Sequence, residues 1–289
     1  HMHRRPGNDY AYRLPWIEVD RVVEWEPDQH LLTDRTTAAA LAFVEQHREQ
    51  PFFCYVPFSM PHIPIYASEA FAGRSPRGLY GDVIEEIDDA VGRLVGAIDR
   101  AGLREQTLFV FASDNGPWLP FKEKGGSAGL LRGGKGTNWE GGQRVPCIAR
   151  WPGTIPSGSV CRQVATTMDL LPTIAKLVGD DLSELPPIDG HDIGALLRGE
   201  PDAASPSEHF VYYTSKGELA GVRRGPWKLL LGQGLFDIER DVSEQWDRSE
   251  AQPELVAELT ELAHRLDAAI AAGMRPVRTV EERLFDPGR

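Results

Sequence analysis

Amphipathic helical patterns alternate with short apolar strands along this chain, and that alternation restricts the possible folds more than any other feature. Residues 81–102 predict one such helix, and the apolar run at residues 107–111 follows it as a buried strand. An earlier pair has the same order, with a helix from a Thr33 cap to about Arg48 and a strand at residues 52–56. The apolar stripe of the longer helix consists of Ile84, Ile87, Val91, Leu94, Val95 and Ile98. The alternation predicts an α/β fold.

A change of character near Pro201–Pro206 indicates a boundary between two parts of the chain. Before it, residues 6–27 are predicted to be an irregular lead-in, and a third strand and a third helix are expected at 145–151 and 168–178. After it, short apolar runs separated by glycine indicate an antiparallel meander, closed by an amphipathic helix from Pro253 to Ala272. We therefore predict domains at residues 1–203 and 204–289.

Composition excludes several classes of protein. The 289 residues are enough for a substantial core, and 31 Lys and Arg against 43 Asp and Glu give a formal charge of −12. Nucleic acid is excluded as a partner because binding it requires a basic surface that neutralises phosphates. No apolar run reaches the roughly 18–20 residues of a membrane helix. The cysteines form no C-x-x-C pair, and their odd number leaves at least one thiol free unless chains are linked; they are Cys54, Cys147 and Cys161.

Asp114 and Asn115 come directly after the predicted strand at 107–111. Ligands of open α/β sheets gather at the carboxyl ends of strands, and carboxylate and amide oxygens suit a hard cation such as calcium or magnesium. Calcium takes about six to eight oxygen ligands, so further ligands would have to come from elsewhere. The same Asp-Asn-Gly sequence also fits an ordinary turn.

His62 follows the predicted strand at 52–56, on a loop stiffened by Pro61 and Pro64. This histidine is a candidate proton donor, and a structural or merely exposed histidine is the alternative. Lys135 lies in the glycine-rich segment 133–142, inside a loop at 115–144 that is far longer than the usual connection of about 4–6 residues. The segment nearly matches a nucleotide-binding loop, but Gly136 stands where serine or threonine is required, so that interpretation fails.

A cation, a lysine and a histidine around one cleft would suit the transfer of a tetrahedral oxyanion group. The cation and Lys135 would neutralise the non-bridging oxygens, and His62 would supply a proton to the leaving group. A solvated surface lysine is the alternative for Lys135. No nucleophile is evident in this set.

Four motifs in a fixed order extend these three clusters. They are residues 59–68, residues 77–82 leading to 86–88, residues 113–116, and residues 131–146 with the pattern L-R-G-G-K-G-T-x-x-E-G-G-x-R-x-P. Together they resemble the sulfatase family, and the branch of arylsulfatase A and N-acetylgalactosamine-6-sulfatase most of all. The resemblance covers residues 30–200 and extends loosely beyond them.

The resemblance implies an alkaline-phosphatase-like fold, with a large mixed sheet between helices and a small C-terminal α+β domain. By the same resemblance, Asp114 and Asn115 would be calcium ligands, Lys135 would contact the sulfate group and the metal-bound oxygen, and His62 would contact the sulfate or assist the leaving oxygen. The substrate would be a sulfated small molecule or glycan. Family habit points to a secreted, periplasmic or lysosomal protein.

One departure from the family pattern is decisive for activity. Sulfatases use a formylglycine made from the Cys or Ser of a C/S-x-P-x-R motif, and no cysteine or serine in this chain begins that pattern. We therefore expect the C-terminal portion of a sulfatase, inactive by itself and prone to self-association through uncovered apolar edges. Two alternatives stay open: a sulfate-binding pseudoenzyme without a nucleophile, and a phosphomonoester or phosphonate ester hydrolase of the same superfamily.

Overall fold

The chain contains both helices and strands, and its structural neighbours share the predicted fold, which confirms the α/β class. The computed structural model describes residues 14–180, 182–184 and 186–274. In chain order, the elements are β1 (Pro15–Glu18), β2 (Arg21–Trp25), α1 (Leu32–His47), α2 (Gly78–Arg100), β3 (Phe109–Ala112), α3 (Glu140–Gln143), β4 (Cys147–Arg150), α4 (Leu170–Leu177), α5 (Gly194–Arg198), β5 (His209–Tyr213), β6 (Leu219–Arg224), β7 (Trp227–Leu230), β8 (Gly234–Asp237) and α6 (Pro253–Ala272).

Two compact units divide the chain. Among the described residues, the first unit comprises those within 14–129, 133–135 and 141–206, and the second comprises those within 130–132, 136–140 and 207–274. The predicted assignment of residues 1–203 to part of a catalytic domain and of 204–289 to a subdomain stays a prediction. Within the described residues, no helix has the length and apolar character needed to cross a membrane.

In the first unit, helix α2 anchors the loop that carries His62. The loop buries Met60, Ile63 and Ile65 in one cluster with Val83 and Ile87 of the helix. A polar contact adds to this packing, because Oε2 of the buried Glu86 accepts a hydrogen bond of 2.9 Å from the Ser68 amide. The loop is therefore fixed to α2 on both sides of its two prolines.

In the second unit, a four-stranded antiparallel sheet of order β5-β6-β7-β8 packs against helix α6. This confirms the predicted meander and its closing helix. Successive residues of β7 face opposite ways: Leu229 joins the cluster with Leu259 and Leu262 of the helix, whereas Leu230 packs with Tyr212 and Trp139. The sheet thus has an apolar cluster on each face.

The strand predicted at residues 52–56 is wrong. The segment carries no strand assignment, although exposure alternates along it, with Phe53 and Tyr55 exposed and Phe52, Cys54 and Val56 half-buried. A strand requires a hydrogen-bonded neighbour, and no strand within the described residues pairs with this segment. The apolar run itself could not show whether a strand partner was present.

The irregular lead-in predicted for residues 6–27 is also wrong over its described part, because β1 and β2 pair as an antiparallel hairpin. Residues 6–13 lie outside the described residues. Contacts from helix α1 hold the hairpin: the Arg35 guanidinium lies 4.7 Å from the Trp16 ring centroid and 2.6 Å from Oε2 of Glu24. These contacts are distant in sequence, so local patterns could not reveal them.

The cap predicted at Thr33 is a smaller error. A 3₁₀ turn at Gln29–Leu31 precedes helix α1, and Asp28 caps that turn by accepting a hydrogen bond from the His30 amide. Thr33 lies inside helix α1, and Leu31 at its N-terminal boundary provides no side-chain cap.

We predict that Ile87→Ala destabilises the first unit, because it removes a buried side chain from the cluster that holds the His62 loop. The expected loss in the free energy of unfolding is about 2–5 kcal/mol. Ile84→Ala, three residues earlier on the same helix at a position 40% exposed, is the matched control and should change the value by less than about 0.5 kcal/mol. Urea denaturation followed by circular dichroism measures both, and equal losses would contradict this account of the core.

Candidate active site

The indole ring of Trp118 brings two of the predicted site residues together in the first unit. The His62 ring centroid lies 5.6 Å from the Trp118 ring centroid, with 46° between the ring planes. The Lys135 Nζ lies 5.3 Å from the Trp118 ring centroid. A histidine and a lysine that are far apart in sequence therefore share one aromatic neighbour.

A short turn fixes the side chain of His62. Its backbone amide donates to the Ser59 carbonyl at 3.2 Å, and its Nδ1 lies 2.8 Å from the Ile63 carbonyl oxygen. A carbonyl oxygen only accepts, so Nδ1 carries a hydrogen in this contact and Nε2 is the nitrogen available to a ligand. His62 is exposed, so a ligand can approach it from solvent.

Lys135 is held by its main chain rather than by a charged partner. Its backbone amide donates to the Pro117 carbonyl at 2.8 Å. Gly134 is required for this approach, because a Cβ there would overlap the Pro117 carbonyl and the Leu119 side chain. No carboxylate pairs with the Lys135 ammonium group within residues 14–180, 182–184 and 186–274. Its three N–H donors are therefore available to an anion.

Asp114 and Asn115 lie in the turn that follows β3. The Asn115 Nδ2 donates to the Gly116 carbonyl at 3.1 Å, which leaves the amide oxygen Oδ1 open to another group. Asp114 is exposed, and its carboxylate makes no hydrogen bond or ion pair with the described residues. Pro117, whose carbonyl accepts from Lys135, is the second residue after Asn115. The turn is therefore connected directly to the Lys135 backbone.

Asp114 and Asn115 offer the type of ligand atom that a hard cation prefers, but fewer of them than such a cation needs. Both residues offer oxygen atoms, which calcium prefers, yet calcium takes about six to eight of them. No group of three or more His, Cys, Asp or Glu side chains suited to a metal ion occurs among the described residues. A metal at this turn would therefore need additional ligands.

Trp118 was missed by the sequence reasoning, although it follows the Asp-Asn-Gly turn by only two positions. Its ring also contacts Phe121, with 4.5 Å between centroids, and its amide donates to the Gly125 carbonyl at 2.8 Å. A tryptophan inside a long glycine-rich loop was the available signal, because such a side chain has to find packing partners.

Comparison with known proteins identifies the family to which this chain is similar. The sequence model of the Sulfatase family matches residues 5–180. Steryl-sulfatase of Mus musculus is 43% identical over 198 residues, which is 66% of this chain and 31% of that protein. Arylsulfatase A of Homo sapiens is 36% identical over 274 residues, covering 82% of this chain and 53% of that protein. The crystal structure of Ps i-CgsB in complex with k-i-k-neocarrahexaose is 30% identical, with a TM-score of 0.73 over 81% of this chain and 54% of that chain.

The fold and the matches define a hydrolase class, that of the alkaline-phosphatase-like enzymes to which sulfatases belong. This chain belongs to the sulfatase family. It spans only about a third to a half of the length of the curated relatives named above.

We predict that Gly116→Ala disrupts the turn of Asp114 and Asn115. The Gly116 amide donates to the Gly142 carbonyl at 3.2 Å, and a Cβ at position 116 would overlap the Gly141 carbonyl. Overpacking of this kind costs about 1–3 kcal/mol and should lower the melting temperature by about 2–10 °C. Thermal unfolding followed by circular dichroism measures the change.

Gly92→Ala is the matched control, because a Cβ at this position in helix α2 meets no atom within 4 Å. It should leave the melting temperature unchanged or raise it, since alanine favours helix over glycine by about 1 kcal/mol. A Gly116→Ala protein as stable as Gly92→Ala would show that the two loop segments can separate without cost.

Proposed function

We propose that this chain carries part of the sulfate-binding site of a sulfuric ester hydrolase. The observation that supports the proposal is the convergence of His62 and Lys135 on Trp118, beside the turn of Asp114 and Asn115. Membership of the sulfatase family supports the sulfate group of an ester as the anion. The substrate proposed is a sulfated aryl compound, in keeping with the names of the arylsulfatase relatives, or a sulfated carbohydrate, in keeping with the sugar bound in the Ps i-CgsB structure.

Lys135 would bind the non-bridging oxygens of the sulfate group. Its ammonium group has no carboxylate partner in the described residues, so binding an anion breaks no existing ion pair. The Trp118 ring lies near the ammonium group, and the face of an aromatic ring attracts cations. Lys135 thus offers charge-assisted hydrogen bonds, which are shorter and stronger than neutral ones.

His62 would act through Nε2. Because Nδ1 is engaged with the Ile63 carbonyl, a protonated His62 can donate only from Nε2 to a sulfate oxygen or to the leaving oxygen of the ester. The contact of Nδ1 with the Ile63 carbonyl and the neighbouring Trp118 ring orient the imidazole before substrate binds. This placement suits a proton donor or a hydrogen-bond donor.

Asp114 and Asn115 would supply two oxygen ligands to calcium. When bound, such an ion neutralises charge on the sulfate oxygens. The calcium assignment is a proposal that depends on the family and on the chemistry of the two side chains, since two ligands are fewer than calcium requires. The roles proposed for His62 and Lys135 do not depend on the ion.

Bond cleavage is not assigned to any residue of this chain. A sulfatase uses a formylglycine from the C/S-x-P-x-R motif, and this sequence has no such motif. We therefore propose that the chain binds sulfate weakly and does not by itself turn over a sulfate ester.

We predict that wild-type chain binds sulfate and that Lys135→Ala weakens binding about tenfold or more, because charge-assisted hydrogen bonds are lost. Lys124→Ala is the matched control: it removes the same charge from an exposed lysine in the first unit and should leave the affinity unchanged. Isothermal titration with sodium sulfate, at an ionic strength held constant with chloride, measures the three dissociation constants.

Three outcomes would contradict parts of this proposal. Equal affinities of Lys135→Ala and wild type would remove Lys135 from the site. Tighter binding of phosphate than sulfate in a parallel titration would favour the phosphoester alternative. Calcium-dependent hydrolysis of 4-nitrophenyl sulfate by the chain alone would show that it has a nucleophile not recognised in its sequence.

We further predict that the isolated chain self-associates through its uncovered apolar side chains. Phe53 and Tyr55 are 67% and 77% exposed, in a segment that has no strand partner among the described residues. The double variant Phe53→Ser and Tyr55→Ser should lower the weight-average mass in light scattering, because it removes apolar surface. Val160→Ser, at a position 79% exposed elsewhere in the unit, is the control. A monomeric wild type would contradict the prediction.

A further inference from the structure

Trp118 contributes an apolar ring to a candidate site that otherwise consists of polar side chains. His62 and Lys135 both lie beside this ring. The His62 and Trp118 ring centroids are 5.6 Å apart, and Lys135 Nζ is 5.3 Å from the Trp118 ring centroid. An anion that is held by these two polar groups therefore lies close to the indole.

Phe121 connects the Trp118 ring to the core of the first unit. The centroids of the two rings are 4.5 Å apart, with 58° between the ring planes. Phe121 in turn packs against the buried cluster that contains Met60 and Ile63. The indole is therefore supported by the same core that holds the His62 loop.

Two hydrogen bonds fix the main chain of Trp118. Its amide donates to the Gly125 carbonyl at 2.8 Å, and its carbonyl accepts from the Phe121 amide at 3.0 Å. Glycine is required at position 125, because a Cβ there would overlap the Trp118 carbonyl oxygen. A side chain held in this way has little freedom to lose when a ligand binds, so little of its contact energy is spent on ordering.

The indole N–H of Trp118 is open to solvent. Its Nε1 donates to no described residue, and it is not one of the buried side-chain atoms that lack a partner. Trp151 shows the contrast, since its Nε1 donates to the Glu105 carbonyl at 2.8 Å. A buried tryptophan N–H usually finds a hydrogen-bond partner. The half-buried Trp118 therefore offers a ligand both an apolar ring and an unused donor.

A sulfate ester has two parts that a site can recognise. Lys135 and His62 suit the charged sulfate group, whereas the organic part needs apolar contacts. Where the sulfate group is attached directly to a ring, a single oxygen separates the sulfur from that ring. A sulfate group bound at Lys135 then brings the ring close to Trp118. Binding sites for small molecules commonly combine aromatic and apolar walls with a few polar groups.

We propose that Trp118 is a specificity-determining residue that contacts the ring to which the sulfate group is attached. The ligand class is a sulfate ester of a ring with an apolar face, which is either an aromatic ring or the C–H face of a sugar. The inference rests on the proposed function, because Lys135 and His62 place the sulfate group next to the indole.

Isothermal titration of the full chain with four sulfate compounds tests the role of Trp118. Inorganic sulfate is the reference, methyl sulfate has no ring, and phenyl sulfate and glucose 3-sulfate each have one. Wild type should bind at least one of the ring esters about three- to tenfold more tightly than methyl sulfate. Trp118→Ala should bring that ratio to about one, with a much smaller change in the affinity for methyl sulfate. The ring ester that loses affinity identifies the preferred kind of ring.

Three more variants sharpen the experiment, and circular dichroism checks that each is folded. Trp118→Phe keeps an aromatic ring without the N–H and should retain most of the preference for a ring ester. Trp118→Leu keeps apolar bulk against Phe121 and should lose most of it, and it replaces Trp118→Ala if that variant does not fold. Trp25→Ala is the matched control, because it removes a tryptophan that is 49% exposed in strand β2, and it should leave all four affinities unchanged.

Absence of a preference for ring esters in wild type, or an unchanged preference in folded Trp118→Ala, would overturn this role of Trp118. Equal weakening of methyl sulfate and the ring esters would also overturn it, because Trp118 would then act only by orienting His62 and Lys135. Absence of inorganic sulfate binding by wild type would contradict the proposed function, whereas a ring-ester preference that Trp118→Ala abolishes would still support the Trp118 contact. No binding of any of the four compounds would contradict both.

Discussion

Two backbone hydrogen bonds connect the turn after β3 to the glycine-rich loop, and the candidate site depends on them. One joins the Lys135 amide to the Pro117 carbonyl, and the other joins the Gly116 amide to the Gly142 carbonyl. Any residue has the backbone groups that form these two hydrogen bonds. The sequence matters instead at the positions where the two segments come close together, because only a small residue fits there. These are Gly116 and Gly134, because a Cβ at either would overlap a carbonyl oxygen of the facing segment. The site therefore requires glycine at these two positions as much as it requires the side chains of His62 and Lys135.

Sequence patterns correctly predicted the elements that are specified by residues close together in the chain. Helix α2 follows from its apolar stripe, and the meander follows from short apolar runs between glycines. The segment at 52–56 was misjudged because a strand depends on a neighbour that the segment itself cannot specify. The hairpin of β1 and β2 was missed for the same reason, since its stabilising contacts come from Arg35 in helix α1.

Prediction of the site met a similar limit. His62 and Lys135 stood out because their chemistry is visible in single residues and in the motifs around them. The contact of Lys135 with Trp118 and the buried pair of Lys228 and Glu140 were not found, because each joins residues that are distant in sequence. A lysine in a strand normally indicates a solvated position, and Lys228 is buried only because Glu140, 88 residues away in sequence, supplies a carboxylate. The sequence of strand β7 alone could not indicate that Glu140 is the partner of Lys228.

The negative charge of this chain does not prevent a local anion site, because many carboxylates are already engaged. Amides of Ser75 and Gly73 donate to the buried Asp82 and hold its pKa below the usual range. Glu86 accepts from the Ser68 amide, and Glu140 and Glu244 are paired with Lys228. These carboxylates are paired with fixed donors, whereas the Lys135 ammonium group lies near the Trp118 ring. An anion in the site therefore interacts mainly with the unpaired Lys135 ammonium group and not with the net charge of the chain. More distant charges contribute little, because they are screened over about 10 Å at 0.1 M salt.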